Sequence, residues 1–125
     1  MTENEIATVL VDIFYRIHTT LGPGLFESVY EEVICYELEL LEIQYERQPE
    51  IPLIYKGHRL PAGFRADLIV ENKVIVEIKS VEDLAAVHYK QLQTYLKLTG
   101  LKLGLLVNFN SNLIRDGIHR IANKL

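Results

Sequence analysis

A chain of 125 residues, 49% apolar and 24% charged, has the length of one domain, expected to span 1–125, and a globular rather than disordered composition. No apolar run approaches the ~18 residues of a membrane span, the start Met1-Thr2-Glu3-Asn4-Glu5 is acidic where a secretory leader would be basic, and the single Cys35 excludes an intramolecular disulfide and a four-cysteine zinc site; the expectation is a soluble cytoplasmic protein with no membrane association. The net charge of −4 divides unevenly, with 2 Lys/Arg against 11 Asp/Glu over residues 1–50 and 11 against 6 over 51–125.

That split gives one part that repels polyanions and one that could accept them. Helices carrying Glu for propensity and strands that happen to carry Lys and Arg would produce it equally well. Thr2 with Glu5 fits a capping box, and Ile6, Val9, Leu10, Ile13, Phe14, Ile17 and Leu21 recur at helical spacing, which predicts a first helix over 4–20. Gly22-Pro23-Gly24 ends it. A second helix is predicted over 25–41, with apolar positions Phe26, Val29, Val33, Ile34, Leu38 and Leu41, and with Glu31, Glu32, Glu37, Glu39 and Glu42 around the rest.

The texture then changes. Residues 43–47 alternate like a strand. Pro49 and Pro52 flank Ile51 and make a strand over 51–55 an edge. Lys56-Gly57-His58-Arg59 reads as a turn, and Arg65–Val70 and Val74–Lys79 read as a hairpin joined by Glu71-Asn72-Lys73. A third helix over 82–99 places Leu84, Val87, His88, Gln91, Leu92, Tyr95 and Leu96 on one broad face, with Gly100 as its stop. A short buried strand over 102–109 and a last strand over 118–122 complete a mixed α/β order that is not a strict βαβ alternation.

Residues two apart in a strand share a face, so Glu77 and Lys79 project together with Ile75, while Val74, Val76 and Ile78 face the other way. Asp67 sits on the preceding strand of the same hairpin. Two carboxylates beside an ammonium suit metal-dependent phosphodiester hydrolysis. The carboxylates hold a hard cation such as Mg²⁺ through oxygen, and the lysine orients or deprotonates water and offsets developing charge. Glu-x-Lys alone is weak: about 0.7 copies are expected by chance and two occur. Glu71-Asn72-Lys73 reads as a solvated turn. Glu77 and Lys79 interrupt an apolar strand, where charge is costly unless paired or used; an edge strand with one wet face is the alternative. Glu27 lies in the first turn of a helix, where the dipole favours an acid without any function. His88, Gln91 and Tyr95 share a helix face, and core packing explains Tyr95 as readily as a binding role. No phosphate-binding glycine loop, H-E-x-x-H or G-x-S-x-G is present.

Gly24-x-x-Glu27, Asp67, Glu77-x-Lys79 and Gln91-x-x-x-Tyr95, taken in order, resemble the PD-(D/E)XK nuclease superfamily. Gly24-x-x-Glu27-x-x-Tyr30, with Ala66-Asp67, Tyr95-Leu96 and the strand Gly104–Phe109, resembles more closely its small GxxExxY proteins, over roughly 10–122. The resemblance implies a restriction-endonuclease-like α/β core, a mixed sheet flanked by helices, with an extra N-terminal helix. It implies Asp67 and Glu77 as metal ligands, Lys79 as the catalytic lysine, Glu27 as an outer or direct metal partner completing the catalytic set, and Gln91 and Tyr95 as nucleic-acid or active-site contacts. Ala66 stands where the superfamily name has proline, which supplies no ligand.

The expectation is a nuclease hydrolysing DNA with Mg²⁺ or Mn²⁺. Its phosphate contacts are expected in the basic part, at Lys90 and Lys97, with Arg115, Arg120 and Lys124 as further candidates. Two other classes fit the sequence: a nucleic-acid-binding or regulatory module that keeps the fold without turnover, and an interaction protein whose acidic second helix faces a partner. At this length little surface remains for reading DNA, which leaves room for a homodimer or a larger partner.

Overall fold

Thr2 starts the chain's first helix as the spacing requires. Its Oγ1 accepts the Glu5 N–H at 3.2 Å, and Glu5 Oε1 accepts the Thr2 N–H at 2.9 Å. The computed structural model describes residues 1–125, the side chains of Pro61 and Ala62 excepted. Helix α1 (Glu3–Leu21) ends at Gly22, φ +71°, and buries Ile6, Leu10, Ile13, Phe14 and Ile17. Helix α2 (Glu27–Leu40) follows, and strands β1 (Tyr45–Arg47), β2 (Glu50–Tyr55), β3 (His58–Arg65), β4 (Leu68–Val70) and β5 (Val74–Lys79) lead to helix α3 (Ala86–Thr99). Strand β6 (Leu103–Asn108), the single turn α4 (Ile114–Gly117) and β7 (Ile118–Ala122) close the chain.

Five strands form one sheet in the order β1-β4-β5-β6-β7. The hairpin β4–β5 is antiparallel, its turn made by Glu71 and Asn72 at positive φ, and β5–β6 is parallel across the α3 crossover. The β5 alternation divides the core. Val74, Val76 and Ile78 pack with α1 and α2, while Ile75 packs with Leu92, Tyr95 and Leu96 of α3. Leu92 presses on β6 where residue 104 has no side chain; a Cβ there would meet Leu92 Cδ1 at 2.8 Å. Strands β2 and β3 form a separate two-stranded ribbon. Among the described residues no helix is long and apolar enough to cross a membrane.

Several boundaries differ from the sequence expectation. Helix α2 begins at Glu27, with Phe26 as its N-cap, 83% exposed. Its buried face is Tyr30, Glu31, Ile34, Cys35 and Leu38, so Val29 and Leu41 are exposed and Glu31 is not. Helix α3 starts at Ala86, not 82, because His88 Nδ1 accepts the Ala85 N–H and so closes the first turn there. Val87 faces solvent. Only Lys56-Gly57 of the expected 56–59 turn is a turn; His58 and Arg59 open β3, a strand the composition concealed. The run 65–70 is broken at Ala66-Asp67.

Candidate active site

Strand pairing brings the two carboxylates together. Leu68 pairs with Val76 across the antiparallel β4–β5 ladder, and continuing that register by one residue sets Asp67 opposite Glu77. The chain leaves ladder geometry at Asp67, and its side chain takes over part of the pairing: Oδ2 accepts the Ile78 N–H at 2.7 Å. Glu77 lies on the α3 face of β5, only 4% exposed, and its Oε1 has no hydrogen-bond partner.

An orphaned carboxylate oxygen in the interior is costly, and the cost appears as a shifted equilibrium. Burial first, then the charge and the close carboxyl of Asp67, push Glu77 up to about 9; Lys79 and the Asp67 backbone N–H pull weakly the other way. Burial first, then the charges of Glu77 and Asp67, also raise Tyr95 above the ordinary phenol range. Tyr95 is 7% exposed and stacks on Phe64 at 4.7 Å between centroids, with the planes 6° apart. The core-packing expectation for Tyr95 therefore holds.

A cation suits this arrangement. Positive charge between Asp67 and Glu77 would relieve their repulsion, occupy the unpartnered Oε1 and restore Glu77 to its ionised form. Mg²⁺ and Mn²⁺ are suited by a donor set of oxygens completed by water. Among the described residues no three His, Cys, Asp or Glu side chains converge to hold an ion; the acidic pair brought together is Asp67 and Glu77.

The other expected residues fall at varied distances from that pair. Lys79 is half-buried at the C-terminal end of β5, on the Glu77 face. Glu27 is exposed as the first residue of α2. Gln91 and Lys90 are exposed on α3. Lys97, with Lys102 and Lys124, lines a cavity of about 590 Å³ where β6 begins. Lys79 pairs with Asn108, where β6 ends, so at ~3.3 Å per residue Lys97 lies toward the opposite end of the sheet, on the order of 15 Å along it.

Three residues tied to the site had not been singled out. Gln48 Nε2 donates to Asp67 Oδ1 at 3.3 Å and to Glu31 Oε1 at 2.7 Å, while Arg47 Nε donates to Glu31 Oε2 at 2.7 Å. The Gln48 N–H also donates to the Asp67 carbonyl at 2.8 Å. Glu31 thus reaches Asp67 through one amide, from a position only 7% exposed. The signal was present: Glu31 shares the i, i+3, i+4, i+7 stripe with Ile34, Cys35 and Leu38, so it had to be buried and partnered.

A mixed α/β sheet that brings two carboxylates and a lysine to one end of a hairpin, with a helix across the same face, has the form of a nuclease core. The model of the PD-(D/E)XK nuclease superfamily matches residues 4–121, and the chain belongs to that superfamily. No curated protein and no solved structure matches the chain significantly.

Proposed function

We propose that the protein is a divalent-metal-dependent nuclease of the GxxExxY branch, acting on DNA through one domain spanning 1–125. The observation that carries this reading is the buried Glu77 carboxylate, with an unpartnered oxygen, facing Asp67 and flanked by Lys79. Asp67 and Glu77 would hold Mg²⁺ or Mn²⁺, which supplies Lewis-acid activation of water and neutralises charge on the phosphate. Gln48 and the Ile78 N–H fix the Asp67 carboxylate before substrate arrives, so little reorganisation is left for the reaction. The Lys79 ammonium hydrogen-bonds the attacking water and offsets charge developing on the phosphoryl oxygen. Tyr95, kept a phenol by its surroundings, offers an O–H donor to the same region. Glu27 belongs to the outer shell, and Gln91 to the substrate path.

The test is cleavage of labelled single-stranded, duplex and branched DNA with Mg²⁺, with Mn²⁺ and with EDTA. Cleavage should require metal and fall at least 100-fold in Asp67→Asn and in Glu77→Gln, each with an unchanged circular dichroism spectrum. Lys79→Ala should retain Mn²⁺ binding by calorimetry and lose turnover. Cleavage by Glu77→Gln at the wild-type rate removes the site. Metal and DNA binding without cleavage of any substrate would leave a binding module on a nuclease fold.

A further inference from the structure

The β2–β3 ribbon leaves the main sheet directly beside Asp67. Its base is tied to the site: Glu50 pairs with Arg65, the Ala66 N–H donates to the Pro49 carbonyl at 3.2 Å, and Arg65 Nη1 donates to the Gln48 carbonyl at 3.0 Å. Ile51 is buried near the base, and Phe64 stacks on Tyr95. Toward the tip, the described residues of the ribbon are exposed. Ile54 is 61% exposed, Tyr55 62%, and Lys56, His58, Arg59 and Leu60 are exposed with them. Lys56 (φ +50°) and Gly57 (φ +77°) make the two-residue turn that closes it, both in the left-handed region that such tight hairpins require.

A two-stranded ribbon alone is marginally stable in water. One that ends in bare aromatic and basic side chains implies something that covers them. The tip carries Lys56 and Arg59 with no carboxylate between Ile51 and Phe64, so the complementary occupant is anionic. Tyr55 adds a face for stacking, and Lys56 Nζ lies 5.7 Å from its ring centroid, so charge and ring act together. The apex is Lys56-Gly57, so insertion into a membrane would bury an ammonium first. Six residues separate base from tip, about 20 Å of strand, comparable to some six phosphates along one strand of a duplex.

We propose that the ribbon is a nucleic-acid arm: Lys56 and Arg59 take phosphates and Tyr55 stacks on an unpaired base of a single-stranded segment leading to Asp67 and Glu77. The contact with DNA stands on the ribbon itself; only the segment's destination rests on the nuclease reading.

The experiment measures binding without turnover. A fluorescein-labelled 20-nucleotide single strand and its duplex are titrated by anisotropy in Ca²⁺ from 50 to 200 mM salt. Lys56→Ala/Arg59→Ala should weaken single-strand binding about tenfold or more at 50 mM salt and reduce the salt slope by about 1.4. Tyr55→Ala should lose about fivefold or more on the single strand and less than twofold on the duplex, and Tyr55→Phe should bind as the wild type. Mn²⁺-induced thermal stabilisation should be unchanged in all three, showing an intact site. Arm variants that bind both DNA forms like the wild type overturn the proposal. So does a loss confined to vesicles of 3:1 phosphatidylcholine and phosphatidylserine, or a Tyr55→Ala loss equal on both DNA forms. Glu77→Gln separates the two readings, because it should bind the strand normally and not cut it. If wild-type protein never cuts while the arm variants still lose binding, the nuclease reading fails and the arm stands.

Discussion

Glu77 concentrates the conflict between fold and chemistry. The strand around it needs apolar residues, and the site needs a carboxylate. Its carboxyl is held near 9 against a reference of 4.5, so in metal-free buffer the folded protein binds a proton that the unfolded chain has already released. Stability from this group is fully present below about pH 4.5 and is lost as pH rises toward 9. Gln mimics the neutral acid and removes that dependence. Thermal melts in EDTA should therefore find Glu77→Gln level with the wild type at pH 4 and more stable by ~5 °C or more at pH 8. Mn²⁺ should raise the wild-type midpoint at pH 8 and leave the variant's unmoved. A variant that melts below the wild type at pH 8 in EDTA would show that the carboxylate is satisfied in some other way.

At the scale of the element, α2 shows what a short motif secures. Tyr30 is fully buried, stacks on Phe109 at 4.3 Å, donates its hydroxyl to the Gly22 carbonyl at 2.6 Å and accepts the Leu25 N–H at 3.2 Å. One ring thus closes the Gly22–Leu25 turn and places Glu27 at the first position of the helix. Tyr30→Phe keeps the stack and leaves a carbonyl and an amide without their partner, which costs about 1–3 kcal/mol. Its midpoint should fall by ~4–10 °C, read by circular dichroism, with Mn²⁺ affinity retained. The α1 helix, the β4–β5 hairpin and the crossover were legible because each repeats a period or carries a cap: Thr2 with Glu5, Asn72 in its turn, Gly100 at φ +75°. The β2–β3 ribbon was legible only in its first strand, expected over 51–55 and found as Glu50–Tyr55; β3 was missed. Its residues have no hydrophobic face to bury toward the tip, so alternation carries no signal there. That Glu77 and Lys79 share a face of β5, with Asp67 across the hairpin, was readable from alternation and register, but not that the strand breaks at Asp67; their chemical roles came from the family resemblance. The Gln48 bridge was hidden because Gln48 owes its position to φ +53° before Pro49, where a residue preceding proline ordinarily extends.

For the whole molecule, the division of charge in the sequence becomes a division of faces. The acidic helices α1 and α2 cover one face of the sheet, while α3 and the ribbon cover the face that carries Glu77. A polyanion approaching the first face meets Glu32 and Glu39, both exposed. On the other it meets α3, with Lys90 and Lys97 exposed, and the ribbon. At net −4 the long-range field does not draw DNA to the protein. On the proposed DNA-binding function it would instead turn the molecule so that the site faces the strand. Each lysine that neutralises a phosphate releases counterions, so it adds about 0.7 to the salt slope on a single strand and about 0.9 on a duplex. Lys90→Ala/Lys97→Ala should therefore lower the slope by about 1.4 on single-stranded DNA, in Ca²⁺ to suppress cleavage. Glu32→Gln/Glu39→Gln should strengthen binding a few-fold through the general field while leaving the slope within about 0.3 of wild type, because no phosphate contact is gained. An unchanged slope in the lysine variant would take α3 out of the DNA path. A slope that instead follows the two glutamates would place the partner against α2, on the face away from Glu77.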